Sequence, residues 1–280
     1  MPQPYTTTIT DREFGQLRDL IHAHTGIALS EHKRALVCSR LAKRLRHYNL
    51  ACYADYYELL TQADPDGREL MEMINAITTN KTDFFRESHH FQFLSEQVFP
   101  ALKQSRQRRL RIWSAAASSG EEAYTLAITV SEVFPAPNDW DIKILATDID
   151  TNVLERAARG VYSQHQVRMI SKPLLQRYFL KGAGAHEDEV MVKPVLKSLI
   201  RFARLNLIDE PWPMQGPFDA ILCRNVFIYF DKPTQQRLFA RFAKLLRKDG
   251  YLMLGHAEFI QGHESLFSIV GHSIYRRRGN

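Results

Sequence analysis

Two hydrophobic rhythms run along this chain and meet near residue 90. In the first part apolar residues recur every three to four positions, the spacing of helices that bury one face. Phe14, Leu17, Leu20 and Ile21 form one stripe, and Leu36, Val37, Leu41 and Leu45 form the next. Thr10, with Glu13 three residues on, reads as a capping box opening the first helix, and Gly26 is placed to end it. Ser30 is expected to cap the second helix. Further helical patterns cover Tyr53 to Leu60 and Arg68 to Ile77, before the polar break Thr78-Thr79-Asn80.

From about Phe91 short apolar runs alternate with helical stretches. Strands are predicted at Leu110 to Ser114, Asp141 to Thr147, Ile200 to Leu205, Phe218 to Cys223 and Tyr251 to Leu254, and helices at Glu121 to Phe134, Asn152 to Ala158 and Pro233 to Leu246. This alternation predicts a doubly wound, mostly parallel α/β sheet whose ligand lies at the C-terminal ends of the strands. A closing strand over Phe267 to Arg276 is expected to run antiparallel. The interval Gly160 to Ser198 does not read as one crossover helix. Its Lys181-Gly182-Ala183-Gly184 and the alternating Glu189 to Lys193 predict an inserted β hairpin.

Composition narrows the class. A chain of 280 residues with 45% hydrophobic content has room for two domains and an ordinary core. No stretch approaches the roughly 18 apolar residues of a membrane span, and the start M-P-Q-P-Y-T-T-T lacks the pattern of a leader, so a cytoplasmic protein is expected. Cys38, Cys52 and Cys223 are odd in number and widely spaced, which argues for buried thiols over a disulfide framework or zinc site. No histidine pair has metal-binding spacing, and His89-His90 reads as a helix start. The net charge of +6 is uneven: His32 to His47 holds six Lys or Arg and no acid, and Lys103 to Arg111 holds five and no acid. An acidic partner is implied.

Arg109 to Glu122 reads R-L-R-I-W-S-A-A-A-S-S-G-E-E, a strand that breaks into small residues and restarts as a helix headed by two carboxylates. Small residues let a ligand approach the backbone, as in nucleotide-binding βαβ units, although with Gly120 alone the G-x-G-x-x-G pattern is absent. Phosphate normally occupies a helix N-terminus, and Glu121 with Glu122 would repel it. The site suits a nucleoside that carries positive charge, of which S-adenosylmethionine is the common one. Asp148, at the end of the next strand, stands where a ribose diol would lie. The plainer alternative stays open: the two glutamates favour the helix dipole, and Asp148 caps the following helix.

Four blocks taken together resemble the bacterial chemoreceptor glutamate methyltransferases, the CheR family: Thr79 to Glu87 (T-N-K-T-D-F-F-R-E), Trp113 to Glu122, Thr147 to Asp150 (T-D-I-D) and Cys223 to Asp231 (C-R-N-V-F-I-Y-F-D). The resemblance covers nearly the whole chain. It implies an all-helical N-terminal domain and linker over residues 1–90, concerned with receptor recognition. A Rossmann-like S-adenosylmethionine-dependent methyltransferase domain over 91–280 would follow, with a β-subdomain insertion at about 161–197. It implies cofactor contacts at Asn80, Thr82 and Arg86, with Arg86 on the cofactor carboxylate, Glu121 on its cationic end and Asp148 on the ribose. Asn206, Leu207, Arg224 and Asn225 would border the adenosine. S-adenosylhomocysteine would be the product, and no catalytic base, metal or nucleic acid is expected. The basic second helix, through Arg40, Lys43, Arg44 and Arg46, would meet acidic receptor helices, with the enzyme acting as a monomer. Gly182 and Gly184 match a loop that in some members holds a receptor's C-terminal peptide tether, but Asp188 departs from that loop's glycine pattern.

Two other readings compete. The basic clusters suit a nucleic-acid methyltransferase, against which stand the missing N/D-P-P-Y after the fourth strand and the lack of aromatics among the charges of Arg40 to Arg46. A cofactor-binding adaptor without turnover is the third reading.

Overall fold

The computed structural model describes residues 8–105, 107–134 and 139–279. Residues 1–7, which carry the expected leader-free start, and Arg106 of the second basic run lie outside the described residues, as do 135–138 and Asn280. The chain forms two compact units. One gathers the described residues through Thr79 with Asn206–Ile208 and Tyr229–Gln235, and the other holds the remainder.

The helical unit contains α1 (Asp11–Thr25), α2 (Arg34–His47), α3 (Tyr53–Gln62) and α4 (Arg68–Ile77). The capping box forms: Thr10 Oγ1 accepts from the Glu13 N–H at 3.3 Å, and Glu13 Oε2 accepts from the Thr10 N–H at 2.8 Å. Gly26 ends α1 at φ 72°, where a Cβ would press to 2.6 Å from the Ile208 side chain. Ser30 makes no side-chain cap bond. A 3-10 turn over Glu31–Lys33 comes between it and α2, so the cap predicted from sequence does not form. Val37, Leu41 and Leu45 are buried as the stripe predicts, while Leu36 stays half-exposed at its edge.

Two arginines of α2 turn inward, which corrects the expectation that the whole basic face is free for an acidic partner. Arg40 donates to the carbonyls of Ile77 and Thr78 and to Thr79 Oγ1, satisfying the last carbonyls of α4. Arg44 pairs with Glu69, a buried carboxylate that also accepts from the Tyr56 hydroxyl at 2.6 Å. A buried carboxylate needs such partners, and an arginine one turn along α2 supplies them. Lys43 and Arg46 remain exposed.

The second unit begins at Asn80. It contains α5 (His89–Phe93), α6 (Phe99–Gln104), β1 (Arg109–Ala115), α7 (Glu121–Val133), β2 (Asp141–Asp148) and α8 (Thr151–Arg159). Next come β3 (Val161–Ser163), α9 (Lys172–Tyr178), β4 (Phe179–Lys181), β5 (Glu189–Val192), α10 (Pro194–Lys197), β6 (Ile200–Arg204) and β7 (Phe218–Cys223). The remaining elements of the chain are α11 (Lys232–Leu245), whose first residues belong to the helical unit, β8 (Leu246–Leu254), β9 (Phe267–Gly271) and β10 (Ile274–Arg277).

The main sheet has the order β6-β2-β1-β7-β8-β10-β9. The first five strands are parallel, and β10 is antiparallel to both neighbours. The single closing strand predicted from sequence is therefore two, split by a turn at His272-Ser273. β7 is buried along its whole length, as a strand covered on both faces must be. The insertion forms a three-stranded sheet, β3-β5-β4, whose Tyr162, Phe179, Val190 and Val192 join the main core. Gly182 lies where a Cβ would sit 1.8 Å from the His186 carbonyl oxygen, and Gly184 takes φ 59° with open space around it. No helix among the described residues is long and apolar enough to cross a membrane, and no cluster there suits a metal ion.

Candidate functional site

The strand order reverses between β1 and β7, so the loops leaving those two strands flank the position where a parallel sheet takes its ligand. The turn after β1 is built from left-handed steps at Ala116 (φ 71°), Ser118 (φ 50°) and Gly120 (φ 96°). Such conformations are costly for non-glycine residues and need external support. Thr147 O supplies part of it by accepting from the N–H groups of Ala116 and Ala117, both at 2.8 Å. Gly120 has no room for a side chain, because a Cβ would lie 2.8 Å from that of Ala157.

Asp148 braces the turn from β2. Its carboxylate accepts from the Ser118 N–H at 2.8 Å and the Asp150 N–H at 3.0 Å. The helix cap is Asp150, which accepts from the N–H groups of Asn152 and Val153, so Asp148 is not the cap of α8. Asn80 joins this group: its amide donates to Asp150 at 2.6 Å, and its carbonyl accepts from Ser118 Oγ at 3.3 Å. Burial pushes the Asp148 carboxyl up to about 6, with the Asp150 charge adding to the rise and the backbone bonds opposing it.

The two carboxylates that head α7 diverge. Glu121 accepts from Ser119 Oγ at 2.7 Å and from the Gln166 amide at 3.2 Å, and burial raises its pKa. Glu122 accepts from Ser114 Oγ at 2.7 Å and pairs with Arg224 at 2.9 Å. Burial also raises Glu122, against the pull of Arg224.

Arg224 bridges the loop after β7 to the segment before α5. It pairs with Glu87 at 3.2 Å and donates to the Arg86 carbonyl. Burial acts to raise Glu87, but Arg224 and Asn225 outweigh it and hold that carboxyl below its ordinary value. The Asn225 amide donates to Glu87 at 3.3 Å, with its backbone at φ 60°. The Arg86 side chain donates to the Lys81 carbonyl at 2.7 Å, and among the described residues it forms no ion pair with Asp83 or Glu87.

The site residues predicted from sequence thus separate into groups. Asn80, Glu121 and Asp148 surround the turn after β1. Arg224 and Asn225 share a second network through Glu87, which Arg86 joins by its backbone carbonyl, and in it the Arg224 guanidinium is engaged by protein partners. Thr82 is half-buried between Lys81 and Asp83, outside both networks. Asn206 and Leu207 fold with the helical unit, where the Asn206 amide donates to the His24 carbonyl at 2.7 Å. Sequence reasoning placed Glu87 only at the end of a motif block and as a candidate ion-pair partner of Arg86, and did not single out Gln166 or Glu258, whose carboxylate accepts from the Asn225 N–H at 2.8 Å. Gln166 comes from the inserted segment and Glu258 from beyond β8, so no local spacing announces either.

Residues 80–276 match the family described as CheR methyltransferase, SAM binding domain, and residues 12–78 match the CheR methyltransferase all-alpha domain. Chemotaxis protein methyltransferase 2 of Pseudomonas aeruginosa is 44% identical over 266 residues, covering 95% of this chain and 93% of that protein. The chemotaxis protein methyltransferase of Salmonella typhimurium is 42% identical over 268 residues, covering 95% and 90%. That of Borreliella burgdorferi is 39% identical over 267 residues, covering 94% and 93%. With both parts of the family matched in order along nearly its whole length, the chain belongs to the CheR methyltransferase family.

Proposed function

We propose that this S-adenosylmethionine-dependent methyltransferase of the chemotaxis family esterifies glutamate side chains on the cytoplasmic helices of chemoreceptors. The products are glutamate methyl esters and S-adenosylhomocysteine. The observation that carries the reading is the pair Glu121 and Asp148, two buried carboxylates flanking one tight turn at the switch point of the sheet. Among the described residues each accepts only from neutral donors. A buried carboxylate is costly without stronger partners, and a ligand ammonium at Glu121 and ribose hydroxyls at Asp148 would supply them.

The donor set fits the cofactor on that ground. Glu121 would hold its ammonium, Asp148 its ribose diol and Arg86 its carboxylate in a bidentate pair. Asn80 supports Asp148 through Asp150 and Ser118, whereas Arg224 and Asn225 act by setting the segment that carries Arg86. When bound, S-adenosylmethionine supplies a methyl group made electrophilic by its sulfonium. The acceptor glutamate is ionised at pH 7, given an ordinary pKa of about 4.3, so the chain needs no general base. Its residues contribute by orienting the carboxylate in line and by excluding water.

Lys43 and Arg46 on α2 would steer acidic receptor helices, giving the helical unit, with residues up to about 90, its recognition role. The hairpin at Gly182 and Gly184 is the candidate tether loop. Gly182 already serves the loop's own close backbone approach, and Asp188 departs from the expected pattern, so receptors without a tether are the primary substrates.

Incubation with methyl-labelled cofactor and receptor-bearing membranes tests the reading. Mild alkali should release the label as methanol. An alkali-stable label, or one on nucleic acid, would overturn it.

A further inference from the structure

One buried carboxylate ties the loop after β7 to the loop after β8. Glu258 is 6% exposed. Its Oε2 accepts from the backbone N–H of Asn225 at 2.8 Å and of Gly255 at 2.6 Å, and its Oε1 accepts from that of Ile228 at 3.3 Å. Three N–H groups on one carboxylate make a stiff, charge-assisted clasp. Gly255 is what lets the strands of this clasp approach. A Cβ there would lie 2.5 Å from Asn225 Nδ2 and 2.7 Å from Glu258 Oε2.

The clasp leaves two large apolar side chains in solvent. Ile228, whose N–H it holds, is 59% exposed, and Phe259, next in the chain to the clasping residue, is 65% exposed. Apolar groups on a pinned backbone lose little further freedom when a partner covers them, so they favour binding more than mobile ones would. Their place is informative. β7 lies beside β1 and β8 beside β7, all parallel, and both loops leave the C-terminal ends, where the ligand of such a sheet lies. Glu258 already uses the backbone N–H groups of Asn225, Gly255 and Ile228, so at Ile228 the exposed apolar side chain is what is offered to an incoming chain.

We propose that Ile228 and Phe259 are acceptor-contacting residues that grip the apolar flank of the helix bearing the acceptor glutamate, with Glu258 as the positioning residue that holds them. The inference rests on the esterification reading above. A glutamate on an amphipathic helix has its neighbours three and four residues away on the same side, one turn above and below. Where that side borders the helix's apolar stripe, those neighbours include apolar residues. Ile228 and Phe259 flank the delivery point and meet such residues while the carboxylate enters.

The test measures receptor methylation by wild type, Ile228→Ala, Phe259→Ala, the double variant and Glu258→Gln, with cofactor affinity determined in parallel by calorimetry. The double variant should raise the receptor KM about tenfold, the scale of losing contact with one to two apolar side chains. Its kcat and cofactor affinity should stay within about twofold of wild type. Glu258→Gln, which sets an amide NH2 against a backbone N–H, should raise the same KM, and Glu258→Asp should recover part of it. If the clasp variants unfold, the alanine variants decide alone, because their side chains lie in solvent. An unchanged receptor KM in the double variant overturns the inference, as does an equal loss of cofactor and receptor affinity. Absence of alkali-labile label with wild type overturns the esterification reading and this inference together, whereas a labile label with unaffected variants overturns only this inference.

Discussion

The two units solve the same electrostatic problem in opposite ways. In the helical unit Glu69 is matched by Arg44 and by the Tyr56 hydroxyl, and Arg44 has Glu72 as a second, weak contact at 3.8 Å. In the α/β unit one buried guanidinium, that of Arg224, serves two partly buried carboxylates, Glu87 and Glu122. Among the described residues Arg224 Nε is left without a hydrogen-bond partner. The first cluster is closed and holds helices together. The second is under-matched in charge, with one guanidinium for two carboxylates, and it ties the Arg86 carbonyl and, through Glu87, the Asn225 amide to the head of α7. A structural ion pair can be completed internally, but a site must keep unused polar capacity.

The largest expected effect is that of Arg224→Met. It strands Glu87 and Glu122 without a counter-charge, and losing one partner of a buried pair costs about 3–5 kcal/mol. Denaturant unfolding should show that loss, and cofactor binding should weaken with it. Stability within about 1 kcal/mol of wild type would mean that Glu122 simply takes up a proton, consistent with its raised pKa.

Arg44→Met should cost less, about 3 kcal/mol, the low end for breaking a buried pair, because it strands one carboxylate where Arg224→Met strands two, and Tyr56 still donates to that one. The contrast between the clusters predicts that its cofactor affinity stays at the wild-type value. A calorimetric change in affinity comparable to that of Arg224→Met would break the distinction.

Asp148 supplies a test by pH. Its carboxyl is raised from 3.8 to about 6, chiefly by burial. Between those values the folded protein binds the proton more tightly than the unfolded chain does. Raising the pH through this window therefore lowers the stability of the free protein, and ligand hydroxyls that donate to the ionised form should recover the loss. Cofactor affinity should accordingly fall as pH drops through about 6. Asp148→Asn should abolish that step and cost about 1–3 kcal/mol of binding at neutral pH. A pH-independent wild-type affinity would remove Asp148 from the cofactor site.

The smallest effect belongs to the surface of the helical unit. Lys43→Glu with Arg46→Glu should raise the receptor KM several-fold and flatten its dependence on salt, since exposed charges act within a Debye length of roughly 8 Å and are worth at most about 1 kcal/mol each. Thermal stability and cofactor affinity should not move. An unaltered salt dependence would take the basic face of α2 out of receptor recognition.

Periodicity and cap chemistry are local, and they determined much of the fold from sequence alone. The stripe of Val37, Leu41 and Leu45, the capping box at Thr10, the alternation of strands and helices, and the junction at Gly120-Glu121 all depend on residues within a turn or two of one another. The four motif blocks, read as a set, identified the family. Tertiary structure decided what depends on residues far apart in the chain. It turned Arg40 and Arg44 of the apparent basic face inward, because Ile77 to Thr79 and Glu69 needed donors. It made Asp150 the cap of α8, leaving Asp148 to brace the turn after β1. It engaged Arg224 with Glu87 and Glu122, and it brought Gln166 and Glu258 to groups 45 and 33 residues away. Burial, which sets the demand for these partners and raises the pKa of Asp148, belongs to the packed chain as a whole and leaves no mark in local spacing.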